Sequence, residues 1–152
     1  MIRFREARVE DVPAVIALLR DDGLGATREE AKMADYIAAF ARMQAEGSNH
    51  LIVGEQSGGA QGGRIVATYQ ITFISGLSLR AARRAQVESV RVASDLRGRG
   101  IGTLMLADAE ARARARACAL IQLTMNTART DARRFYERQG FVASHTGFKR
   151  EI

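Results

Sequence analysis

The stretch Val90-Arg91-Val92-Ala93-Ser94-Asp95-Leu96-Arg97-Gly98-Arg99-Gly100-Ile101-Gly102-Thr103 concentrates the chemistry of this chain. A β-rich run leads into a loop with glycine at every second position, and a helical pattern starts directly after it. Glycine lets the backbone turn sharply and present successive N–H groups, and a helix N-terminus adds its own unpaired N–H groups and dipole. The spacing predicts a phosphate cradle from Arg97 to Thr103, with Arg97 and Arg99 as charge-assisted donors. A plain surface turn before a helix is the bland alternative. The order is Arg-x-x-Gly-x-Gly: no Gly-Lys-Ser/Thr follows, as a Walker loop requires, and the G-x-G-x-x-G dinucleotide pattern is absent.

Glu88 is the acidic residue within the strand before this loop. Strict alternation puts it on one face with Val90 and Val92, and Val87, Ser89 and Arg91 on the other. A carboxylate among valines is costly unless paired or used. Desolvation would raise its proton affinity and suit it to act as a general base, and an ion pair with Arg84 or Arg91 is the alternative. Cys118 reads as a small core residue, with Arg116 as its nearest basic neighbour in sequence, and His50 as surface structure.

These residues need elements to hold them. Met1 to Ala7 alternates as a first strand, and Val12, Val15, Ile16, Leu18 and Leu19 give Glu10 to Arg20 helical spacing, with Pro13 in the first turn. A second helix is predicted from Thr27, whose spacing to Glu30 fits a capping box, with Met33, Tyr36, Ile37, Phe40 and Met43 as its buried stripe and Gly47 ending it. His50 to Glu55 and Arg64 to Ser75 are strands joined by a glycine-laden hairpin loop. Ala85 to Ala93 is the next strand. Ile101 to Ala117 is helical with Ile101, Leu104, Met105 and Ala109 inward. Leu120 to Met125 is a short strand, Asp131 to Gln139 a helix closed by Gly140, and Phe141 to Ile152 an extended segment or hairpin.

Composition bounds the rest. The chain has 152 residues, 47% hydrophobic, with one cysteine and two histidines. A length of about 150 residues supports one domain, 1–152, with a real core and no staples. One cysteine excludes a disulfide framework, two histidines leave no expectation of a metal site, and a reducing, cytoplasmic setting follows as the default. No apolar run reaches the roughly 18 residues of a membrane span, and the charged N-terminus lacks a signal-peptide core. Residues 1–79 hold 8 basic and 10 acidic groups, whereas residues 80–150 hold 15 and 6 within a net charge of +6. The second half therefore prefers anions. With 6% aromatics and no basic tract interleaved with stacking residues, a small polyanion fits better than nucleic acid.

The Arg-x-x-Gly-x-Gly loop, Asn126 after the following strand, Phe135-Tyr136 on the next helix and Gly140-Phe141 at its end together resemble the GNAT superfamily of acyl-CoA-dependent N-acetyltransferases, over essentially the whole chain. The resemblance implies an α+β fold: a central, mostly antiparallel twisted sheet of six to seven strands, flanked by about four helices and splayed between strands 4 and 5. It implies acetyl-CoA as co-substrate, its pyrophosphate on Arg97, Gly98, Arg99, Gly100, Gly102 and Thr103, its pantetheine and thioester along a break in the ladder at Val90, Arg91 and Val92, with Asn126 nearby. Tyr136 would protonate the departing thiolate, unless it is an ordinary core tyrosine. Glu88 matches the position of a base in glucosamine-phosphate acetyltransferases, and His145 is the other candidate.

By the same resemblance the acceptor site is lined by Asp21 to Gly25, Phe73 to Arg84 and Ser144 to Lys149. There Asp21 and Asp22 could attract a cationic amine, and Arg80, Arg83, Arg84 and Lys149 an anionic group. The expected reaction is acetylation of a small-molecule amine by direct attack in a ternary complex, with no nucleic acid or membrane partner. Acetylation of a protein N-terminus or lysine, and a non-catalytic acyl-CoA-sensing module, are the alternatives. Homodimers are common among relatives, and no residue pattern here decides that.

Overall fold

The computed structural model describes all residues except Leu24 and residues 59–62, and the side chains of Gly25 and Thr27 are also outside it. The middle of the glycine-rich hairpin loop thus lies outside the described residues. The elements run β1 (Ile2–Glu6), a 3-10 turn (Val9–Asp11), α1 (Val12–Arg20), α2 (Gly25–Arg28), α3 (Met33–Glu46), β2 (Asn49–Gln56), β3 (Arg64–Ile74), α4 (Ser78–Ala81), β4 (Arg84–Val92), a 3-10 turn (Ser94–Leu96), α5 (Ile101–Ala115), β5 (Leu120–Leu123) and α6 (Thr130–Arg138). The single turn α4 is left-handed at Leu79, Arg80 and Ala81.

The sheet order is β1-β2-β3-β4-β5, antiparallel up to β4 and parallel between β4 and β5. The α+β class and the splay are as expected: β5 pairs only with Arg84 to Val87, so β4 continues from Glu88 without it. The strand count is lower, five among the described residues, because 141–152 forms no strand. That segment lacks an apolar alternation to bury, and its Val142 and Phe148 are exposed.

Two helices differ from the reading of the pattern. The predicted single helix divides: α2 ends at Arg28 and α3 starts only at Met33. Arg20 Nε donates to the Glu29 carbonyl at 2.7 Å and the Tyr36 hydroxyl to the Glu29 carboxylate at 3.1 Å, which ties this stretch to α1 and α3; the Thr27 side chain, on which a capping box with Glu30 rests, lies outside the described residues. In α3 Phe40 is buried, while Met33 and Ile37 are exposed. In α5 the buried line runs at i, i+4 through Ile101, Met105, Ala109 and Ala113, with Leu106 beside it; Leu104 falls outside. One core cluster joins Val12, Val15, Ile16 and Phe40 to Val53; the other joins Ile101, Met105 and Ala109 to Tyr69, Ile71 and Val87. The sheet is therefore covered by α1 and α3 on one face and α5 on the other. Among the described residues no helix is long and apolar enough to cross a membrane.

The entry to α1 is fixed by charge. Arg5 on β1 donates to both Asp11 oxygens, at 2.6 and 3.0 Å, and to Glu55 on β2 at 2.8 Å; Asp11 also accepts the Arg8 N–H at 2.8 Å. These bonds, those from Arg5 foremost, hold the Asp11 carboxyl below the usual carboxylate range. Its folded pKa being depressed, the contribution is present above the unfolded value near ~3.9 and is lost as pH falls through the folded value. Asp11→Asn is expected to lower stability at neutral pH by about 1.5–3 kcal/mol, the scale of hydrogen bonds to charged groups. In denaturant melts the gap between variant and parent should close below roughly pH 4.

Candidate active site

The register between β3 and β4 slips at one place: Thr68 pairs with Arg91 and Gln70 with Glu88. Tyr69 alone thus faces Ser89 and Val90, a β-bulge, and Ser89 has a left-handed φ of 54°. The break in the ladder expected beside Val90 to Val92 is present. An extra residue inverts the alternation beyond it, which corrects the reading of faces. Glu88 stands with Gln70, and Arg91 with Thr68, on the face covered by α1 and α3, whereas Val90 and Val92 pack with the cluster under α5. Glu88 is exposed rather than held among valines. Among the described residues, neither Arg84 nor Arg91 forms an ion pair with it; Arg91 pairs with Asp22.

The glycine loop builds the expected turn. Gly98 and Gly100 have φ of 75° and 79°, and Gly100 is the N-cap of α5. A Cβ on either would meet nothing within 4 Å, so the loop opens outward. The N–H groups of Ile101, Gly102 and Thr103 have no intrahelical acceptor and point out of the helix end. Gly102 has a different reason to be glycine: its Cβ would come 3.0 Å from Phe135 Cζ, so it lets α5 and α6 approach. Both cradle arginines are exposed. Arg97 donates to the Val92 carbonyl at 3.2 Å and the Asp21 carbonyl at 2.6 Å.

Tyr136 sits on α6 between Phe135, ring centroids 5.2 Å apart, and Phe141 at 5.9 Å. The helix ends in a Schellman cap, with Phe141 N–H donating to the Tyr136 carbonyl, Gly140 N–H to that of Glu137, and Gly140 left-handed. The apolar contact that accompanies this cap is Phe141 on Tyr136, so the cap fixes the tyrosine ring. Burial pushes the phenol above its ordinary value, and Arg129 and Arg91 oppose that shift. Asn126 is exposed, and its side-chain oxygen accepts the Ala128 N–H at 2.9 Å, shaping the turn into α6.

Sequence reasoning missed the cluster beside this tyrosine. Arg91 Nε lies 3.1 Å and Arg129 Nη1 3.7 Å from the same Asp22 oxygen. Asp21 accepts the Ser94 N–H at 2.8 Å and stands 3.9 Å from Arg97. Both aspartates read as lures for a cationic amine are thus occupied by arginine. Arg84 is at the opposite end of β4 from the cradle, roughly 25 Å away at strand rise. Arg83 and Arg116 stack on Phe73, at 5.7 and 5.0 Å. His145 is exposed and hydrogen-bonded to Ser144. His50 is half-buried against Phe73 and pairs with Glu6, and Cys118 packs against the core.

The family model described as Acetyltransferase (GNAT) family matches residues 13–141. The chain belongs to that family. The GNAT chain is similar over its whole length to a transcriptional regulator from Bacillus halodurans C-125, with 39% identity, all of both chains covered and a TM-score of 0.91. Glucosamine-6-phosphate N-acetyltransferase from Arabidopsis thaliana shares the fold, with a TM-score of 0.78 at 17% identity over 100% of this chain and 99% of that one. A segment of 67 residues is 37% identical to aminoalkylphosphonate N-acetyltransferase of Salmonella typhimurium; this match spans 44% of each chain.

The opposing influences on Tyr136 can be read directly. In alkaline titration followed by tyrosinate absorbance, the difference between the parent and Tyr136→Phe should appear above pH 10. Arg129→Gln removes a cation that favours the phenolate and should move that step to higher pH; an unmoved step would show that Arg129 does not act on the phenol.

Proposed function

We propose that this GNAT protein transfers an acetyl group from acetyl-CoA to a primary amine of a small molecule, by direct attack within a ternary complex. The observation that carries this reading is the juxtaposition of an outward-opening glycine cradle, a bulged strand released from its neighbour, and a half-buried phenol that keeps its proton at neutral pH. In this reading Gly98, Arg99, Gly100, Gly102 and Thr103 hold the pyrophosphate, and the edge of β4 at Val90, Arg91 and Val92 offers peptide groups to the pantetheine. Arg97 would join them by leaving the Asp21 carbonyl. Bound there, acetyl-CoA supplies an activated thioester carbonyl.

Three demands remain for the chain's own groups: the amine must lose a proton, the oxyanion must be stabilised, and the thiolate must gain a proton. Tyr136 is the proposed acid for the thiolate. Glu88 is the proposed base, on the strength of its solvent-exposed place beside the bulge. The partial likeness to an aminoalkylphosphonate N-acetyltransferase supports a small amine as acceptor. A second reading, a non-catalytic acyl-CoA sensor, is favoured by the likeness to a protein described as a transcriptional regulator; turnover of free coenzyme A with a panel of amines separates the two.

Gly100→Leu places a side chain in the open mouth of the cradle. Acetyl-CoA affinity measured by calorimetry should fall at least about tenfold, while stability falls by only about 1–2 kcal/mol, the cost of a left-handed side chain.

Tyr136→Phe keeps the packing and removes the hydroxyl. Turnover should fall by roughly 10²-fold or more with acetyl-CoA affinity little changed. Glu88→Gln should slow the reaction at neutral pH and flatten its acidic limb without changing thermal stability, because Glu88 is solvent-exposed. Normal turnover in either variant removes that residue from the chemistry.

A further inference from the structure

We infer that Arg91 and Arg129, gathered around Asp22 beside Tyr136, form a subsite for an anionic group carried by the acceptor amine: a carboxylate, phosphonate or phosphate. The inference rests on the acetyltransferase reading. Its first support is the bulge: without the extra residue Arg91 would face α5, and with it Arg91 reaches Asp22 at the end of α1. Its second is charge. The two guanidinium groups share one carboxylate oxygen, so that group of three carries one positive charge in excess, and the field of Arg28 adds to it at Arg91. Arg91 and Asp22 have side chains only 12% and 11% exposed, which limits screening of this excess.

The third support is accessibility. Arg129 is 42% exposed and its Asp22 contact, at 3.7 Å, lies beyond hydrogen-bond distance, so its fork of donors can turn to a second anion without breaking a bond. The neighbouring Asp21 does not counter the charge, since it serves Ser94 and Arg97. Such a site attracts an anion and disfavours an ammonium ion close by. It would therefore draw an amino acid or aminophosphonate by its anionic end and lower the proton affinity of the amine next to it, which also reduces what a base must do.

The experiment compares three two-carbon amines, β-alanine, 2-aminoethylphosphonate and ethanolamine, in steady-state acetylation by the parent and by Arg129→Gln. The two anionic amines should show kcat/KM at least about tenfold above ethanolamine in the parent. Arg129→Gln should raise their KM about tenfold and remove most of their kcat/KM advantage over ethanolamine, while the KM for acetyl-CoA stays unchanged. Arg91→Gln, checked for folding by thermal melt, should likewise narrow the advantage of the anionic amines over ethanolamine; Arg129→Gln alone suffices if that variant does not fold. Equal use of charged and neutral amines by the parent overturns the subsite and leaves the enzyme reading standing. A raised KM for acetyl-CoA in Arg129→Gln also overturns it, by assigning the arginine to the donor. No turnover of any amine overturns the acetyltransferase reading itself, and the subsite with it.

Discussion

One inserted residue in β4 governs the geometry of everything around it. Because Ser89 and Val90 together oppose Tyr69, side chains beyond the bulge change faces: Arg91 goes to α1 and Asp22, and Val90 and Val92 go to the core under α5. Pairing with β5 ends at Val87, just before the bulge, so the peptide groups of β4 beyond it have no β5 partner. A bulge needs a rigid partner opposite it. Tyr69 is fully buried, its hydroxyl donates to Asp108, and Asp108 also takes Arg112 on the same helix. Burial foremost, then the bond to Asp108, pushes the Tyr69 phenol far up, so it remains a donor and ties β3 to α5 just behind the bulge.

The aromatic pair on α6 depends on glycine at two distances. Gly140 permits the left-handed turn that brings Phe141 back onto Tyr136, and Gly102 permits α5 to approach Phe135 on the other side. The third glycine of the cradle is thus tied less to a phosphate than to the position of the tyrosine. A larger residue there would displace the ring pair while leaving the N–H groups of the turn in place. Motif and acid candidate are one packing unit, which gives a physical reason for the two blocks to occur together.

Much of this was legible in the residues, and the failures have a common cause. The cradle, the cap at Gly140 and the order of strands and helices declare themselves through glycine placement and apolar period. The bulge occurs at a serine, whose type gives no warning of a left-handed φ, so the phase of alternation after it was read inverted. That error alone put Glu88 among valines and Arg91 away from Asp22. The helix predicted from Thr27 divides into α2 and α3 at the stretch where the Glu29 carbonyl accepts from Arg20 of α1, a contact that no local window contains. The final segment was expected to add strands, yet its apolar residues are too sparse to define a face. Charged loops misled in the same way, since Asp21 and Asp22 look solvent-bound in sequence and find arginines from β4, the cradle and α6 only in the fold.

Those arginines connect the two halves of the candidate site. Arg97 belongs to the cradle motif yet holds the Asp21 carbonyl, and the Asp21 carboxylate caps Ser94 at the turn that leads into the cradle. Asp22, one residue on, joins Arg91 at the bulge to Arg129 at the start of α6. Adjacent residues after α1 are therefore tied to the glycine cradle on one side and to the start of α6 on the other. An anion drawing Arg97 into the cradle would free the Asp21 carbonyl, while the Asp21 carboxylate keeps Ser94 and Asp22 keeps Arg91 and Arg129. Arg97 is the more easily drawn away, being half exposed at 49%, whereas the Arg91–Asp22 pair is nearly closed to water.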